Sequence, residues 1–141
     1  MRSFVFGLLV LLAGCDATLG PIDGSTDPEA LALGDPWIAV EAVVEGDRVS
    51  FPADGYTLTV RGGILGGRTE PNSYGAQQFA ALGDGSIQIE EIITTLVGGT
   101  PEQERRGAAL TTALANADRF EVTDRELALY GPDGDGIRFR R

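Results

Sequence analysis

The side chains with the most chemical promise are carboxylates. Glu90-Glu91, with Glu41 upstream, would supply the two carboxyl groups that glycoside hydrolysis needs, one to donate a proton and one to attack or to activate water. Neighbouring strand residues point to opposite faces, however, so Glu90 and Glu91 converge only at a bulge, and a solvated strand face is the simpler expectation. Asp133-Gly134-Asp135-Gly136 opens like a calcium loop, but Ile137 and Arg138 follow and no Glu stands at the twelfth position, which favours a hairpin turn. Gly62-Gly63 and Gly66-Gly67 lack the Lys-Ser/Thr pair and helix start of a phosphate cradle, and read as loops or bulges. The chain has 0 His and 1 Cys. Imidazole catalysis, His-ligated zinc and an intrachain disulfide are therefore excluded, and the Ser and Thr hydroxyls lack an evident base. No cofactor and no metal site is expected. The reading is non-enzymatic, with a small carboxylate-dependent hydrolase as the alternative.

The lone cysteine has its own chemistry. Met1 to Ser3 carry one positive charge, and Phe4 to Ala13 form an apolar block of about ten residues, too short to span a bilayer as a helix. Leu12-Ala13-Gly14-Cys15 then matches the bacterial lipobox pattern. Residues 1–14 are expected to be a lipoprotein signal peptide. The match implies that Cys15 becomes the mature N-terminus, bearing a diacylglyceryl thioether and usually an N-acyl chain, enough acyl chains for stable anchoring. The expected location is the periplasm-facing side of the cell envelope. Asp16 weakly favours the inner membrane, and the choice between inner and outer membrane stays open. The formal net charge of −10 repels phosphate backbones, so no nucleic-acid partner is expected.

Residues 15–36 contain Asp16, Asp23, Asp27, Glu29 and Asp35, no base, and several Gly and Pro. Such a stretch has little to bury against the entropy of ordering and reads as an acidic flexible tether, long enough to hold the domain tens of ångströms from the bilayer. Its exception is Pro28 to Leu33, predicted to form one helical turn capped by Asp27. From Trp37 the pattern changes to strands: Trp37 to Val44, Arg48 to Phe51 after a Glu45-Gly46-Asp47 turn, and Tyr56 to Val60 with Tyr56, Leu58 and Val60 facing a core. Arg61 to Gly85 is rich in Gly and polar residues and reads as a long connection. Alternation returns at Ser86 to Ile93, Phe120 to Val122, Leu127 to Leu129 and Ile137 to Phe139. Thr100-Pro101-Glu102-Gln103 combines an N-cap, a Pro at the first helical position and a capping-box Gln. The helix it opens, over about 101–117, carries a narrow apolar stripe at Gly107, Leu110, Leu114 and Ala117. Arg138, Arg140 and Arg141 read as a solvated edge strand.

The succession of strand Ile87 to Ile92, Thr94-Thr95 turn, helix Glu102 to Ala117 and hairpin Phe120 to Leu129 resembles the bacterial META/HslJ-like (DUF306) family of small envelope domains. The resemblance spans roughly Trp37 to Phe139 and covers the opening Trp, and it implies one domain over 37–141 acting as a binding or stress-associated module. Asn72 and Tyr74 match the family's Asn and aromatic, but Glu70-Pro71 stands where Gly-Cys is usual. Leu96-Val97-Gly98-Gly99 replaces the second family cysteine. Both departures fall at paired positions, so no disulfide or redox property carries over. The fold class expected is α+β, a small, mostly antiparallel, curled or barrel-like sheet with one packed helix. Asn72, Tyr74 and Phe79, in the long connection, are the candidate recognition residues for another envelope protein, as loops on a rigid sheet often bind partners; the equal alternative is that one or two of these aromatics tuck into the mouth of the barrel. An adjacent open strand edge would add main-chain hydrogen bonds.

Overall fold

A computed structural model describes residues 17–32 and 36–141. Cys15 and the proposed signal peptide lie outside the described residues. The domain is one curled antiparallel sheet with a single α-helix in its concavity, as expected. The strands are β1 (Trp37–Val44), β2 (Asp47–Ser50), β3 (Thr57–Arg61), β4 (Ile64–Thr69), β5 (Asn72–Ala81), β6 (Ile87–Thr94), β7 (Arg119–Val122), β8 (Glu126–Tyr130) and β9 (Gly136–Arg140), with α1 (Pro101–Asn116) between β6 and β7. Their order across the sheet is β6-β5-β4-β3-β1-β9-β8-β7, with β2 added to β1. The two ends of this order meet at one corner. A bridge joins Ser86 to Arg119, where the Ile87 N–H donates to the Asp118 carbonyl at 3.1 Å and the Phe120 N–H to the Gly85 carbonyl at 2.9 Å.

The concave face holds the main core. Trp37, Tyr56, Leu58, Leu65, Phe120, Leu127, Leu129, Ile137 and Phe139 close around Leu110 and Leu114 of α1, all essentially inaccessible to water. The helix starts as its capping box predicts: the Gln103 N–H donates to the Thr100 hydroxyl at 3.2 Å and the Thr100 N–H to the Gln103 Oε1 at 2.9 Å. Its buried face is Ala109, Leu110, Ala113 and Leu114, with Ala117 as C-cap. This stripe is wider than the predicted one and replaces Gly107 with alanines, because a helix inside a curled sheet is contacted from more than one direction.

Two expectations are corrected here. The stretch 62–85 is not a loop: β4 and β5 pair along Leu65↔Ala76 to Thr69↔Asn72 across a tight turn at Glu70-Pro71. Nor is the chain from 17 to 32 a flexible tether. The Ala17 N–H donates to Gly46, the Leu19 N–H to Gly134, and Ser25 bridges Val122. A 3-10 turn over Pro28–Ala32 follows, with the Glu29 N–H bonded to the Asp27 carboxylate at 3.0 Å. Leu31 is buried and its carbonyl accepts the Trp37 indole N–H at 3.0 Å. The first part of this strap covers the convex face, whereas Ala30 and Leu31 at its end join the main core. Leu19, with Ala17 and Ile22, packs on Val43, Ala128 and Tyr130 in a second, smaller apolar cluster. Burying a leucine contributes about 1.5–3 kcal/mol, and here two leucines anchor a stretch whose composition alone suggested disorder.

The C-terminal arginines are also placed differently. β9 lies inside the sheet between β1 and β8, not at an edge. Arg138 spans Glu41 and Glu126, both at 3.3 Å, and the Arg141 guanidinium stacks 3.9 Å from the Trp37 ring.

Candidate functional site

Of the three recognition residues expected from the sequence, the structure buries Tyr74 in the core, leaves Phe79 half-buried against it and makes Asn72 a clamp. Tyr74 is buried, and its hydroxyl donates to the Thr57 carbonyl at 2.7 Å. Burial holds its phenol pKa far above the usual tyrosine value. Gly67 stands opposite Tyr74 in the β4–β5 register. A Cβ on Gly67 would collide with the Thr57 carbonyl and lie 2.8 Å from the Tyr74 hydroxyl, so the glycine leaves room for the ring. Phe79 is half-buried against the main core. Asn72 is a clamp: its Oδ1 accepts from the Val97 N–H at 2.7 Å and the Thr95 hydroxyl at 2.8 Å, and its Nδ2 donates to the Val97 carbonyl at 3.1 Å. It holds the chain leaving β6 against the β4–β5 turn, and Pro71 lies against Gly99. The two stretches that depart from the META/HslJ pattern, Glu70-Pro71 and Leu96 to Gly99, are thus adjacent in space.

Beside this clamp lies an exposed apolar surface. A groove of about 360 Å³ runs between the β4–β5 turn, the 94–98 segment and the first turns of α1, with Glu70, Leu96, Val97 and Glu104 among its lining residues. Leu96 is 96% exposed, and Val97 and Ile93 are each 56% exposed. Ile93 faces outward for a local reason. Ile87 and Ile89 point into the core, but Glu91 has a φ of 55° and the ladder skips its pairing with Gln77, so the alternation reverses and the half-buried positions become Ile92 and Thr94. Beyond Ile87, the outer side of β6 has no backbone partner among the described residues.

The irregularity at Glu91 inserts no residue, since the β5–β6 register is the same on both sides of it, and it leaves both Glu90 and Glu91 exposed. Glu90 accepts from the Gln88 amide at 2.6 Å. Glu41 lies on β1, four strands away in sheet order, and is held by Arg48 and Arg138. The three carboxylates considered for hydrolysis therefore do not meet. Asp135 accepts from the Glu45 N–H at 3.0 Å, tying the β8–β9 connection to the β1–β2 turn. No group of three or more potential metal ligands occurs among the described residues.

The fold has solved counterparts. An NMR structure of a protein from Burkholderia xenovorans matches with a TM-score of 0.64 and 23% identity, covering 89% of this chain and 93% of that one. A second NMR structure matches with a TM-score of 0.58 and 13% identity, covering 81% and 93% respectively. At these identities the likeness concerns the fold alone. No protein-family model and no curated protein matches the chain.

Proposed function

We propose that this chain is a lipid-anchored protein of the bacterial cell envelope whose META/HslJ-like domain is a non-enzymatic binding module. The anchor rests on the lipobox at Leu12 to Cys15. The family reading is supported by the order β6, α1, β7, β8 and by the adjacency of the two stretches that replace the paired cysteines. The observation that carries binding is the run of exposed aliphatics at the end of β6, Ile93 on the strand followed by Leu96 and Val97 on the groove wall, beside an open strand edge. Large aliphatic side chains grouped on a surface, as distinct from scattered singly, mark interaction sites. Dispersed carboxylates give the hydrolase alternative no support.

Two measurements test this. Labelled palmitate is expected to enter the wild-type protein and not Cys15→Ser; persistent incorporation in that variant overturns the anchor. A photo-crosslinking residue at Leu96 is expected to yield discrete adducts in intact envelopes, whereas the same residue at Asp133, on the β8–β9 connection, yields none. Equal labelling at both positions overturns the binding surface.

A further inference from the structure

We infer that the occupant of the β6 rim is an extended segment of another polypeptide carrying cationic and aliphatic side chains, docked by strand addition beyond Glu91. The inference deepens the binding-module reading and rests on it. Three properties of the rim converge on this occupant. The outer side of β6 after Ile87 offers backbone donors and acceptors that no described residue pairs, and an extended chain satisfies them by continuing the ladder. The reversal at Glu91 turns Ile93 outward, three and four residues before the exposed Leu96 and Val97, so aliphatic residues of an added strand gain apolar neighbours.

Charge selects among the possible strands. Glu70 and Glu104 line the groove, Glu90 and Glu91 stand on β6, and none of the four is in an ion pair among the described residues. Arg105 and Arg106, the nearby bases of α1, are both engaged by Glu102. A cationic strand therefore meets uncompensated negative potential, which steers encounter and fixes register. A second copy of this chain is the wrong occupant. Each copy carries a net charge of −10, and edge pairing would bring Glu90, Glu91 and Glu104 of both into one interface, where like charges repel.

The test uses two synthetic peptides with the same alternating Val and Leu positions, one with Arg and one with Glu between them. Binding is read by fluorescence anisotropy at low and high salt, and contact by protection of the Ile92 to Thr94 amides from exchange. The Arg peptide is expected to bind, to protect those amides and to weaken with salt. Glu91→Gln combined with Glu104→Gln is expected to weaken it several-fold with unchanged melting, and Leu96→Ser to weaken it at every salt concentration. Equal binding of both peptides overturns the charge selection, and binding without amide protection overturns strand addition. Concentration-dependent dimerisation that protects the same amides assigns the rim to a second copy and overturns the inference. Adducts at Leu96 in envelopes without binding of either peptide overturn this occupant while leaving the binding surface standing.

Discussion

Tyr74 shows how a residue's role depends on what stands opposite it. An aromatic in a glycine-rich stretch reads equally as a surface anchor or as a residue tucked into the sheet's mouth, and Gly67 across the ladder and the Thr57 carbonyl decide for a buried strut. Tyr74→Phe, which removes one buried hydrogen bond, is expected to destabilise the domain by about 1 kcal/mol. Tyr74→Ala, which opens a cavity, is expected to cost about 3–5 kcal/mol in denaturant melts. The pH dependence has a definite sign. Burial raises the phenol pKa of Tyr74, and also those of Tyr56 and Tyr130, so the folded state holds these protons after the unfolded chain releases them at about pH 10. Stability is fully present below that pH and is lost as pH rises above it. Thermal melts between neutral pH and about pH 11 are expected to show the fall, and Tyr74→Phe to flatten it.

At the scale of elements, α1 was legible because its start is written in local chemistry: Thr100, Pro101 and Gln103 satisfy the first N–H groups before any tertiary contact forms. Thr100→Ala is expected to cost about 1 kcal/mol, and Leu114→Ala, inside the sheet, about 2–5 kcal/mol. Indistinguishable denaturation midpoints for the two variants would contradict the packing. β4 and β5 were not legible, because their signals are cross-strand. Gly66 and Gly67 weaken β4 by propensity, and Gln77 and Gln78 interrupt the apolar alternation of β5; a glycine pair facing an aromatic seven or eight residues on is the pattern that would have revealed the hairpin. The strap was hidden for the opposite reason. Its apolar residues, Leu19, Ile22 and Leu31, are too sparse to form an element, and only a sheet already built gives them somewhere to go. The run Leu127-Ala128-Leu129-Tyr130, buried without alternation, is the sequence trace of that second layer. Leu19→Ser, which removes the strap's anchor on the convex face, is expected to lower the melting temperature and speed proteolysis within 17–32, with α1 and the concave core kept.

For the whole molecule, the curled α+β fold was legible from the sum of strand periods and one helix, whereas the rim of β6 was not, because it depends on a reversal at one residue, Glu91, that local pattern does not encode. The sheet's connectivity has a further effect. β1, the first strand, sits between β3 and β9, the last, so its central position is completed only by residues at the chain's far end. Deleting Gly136–Arg140 is expected to abolish cooperative melting and not merely to fray an edge, since it strips β1 and β8 of a shared neighbour. Time enters at this point. Pairings between distant parts of a chain form slowly, and every other strand of the domain is synthesised before β9, the one that locks β1. Until then the strap lacks the finished convex face it lies on, and the apolar residues of β1 and β8 have no permanent cover. Closure of the sheet is thus a late step of folding, set by the arrival of β9 beside β1.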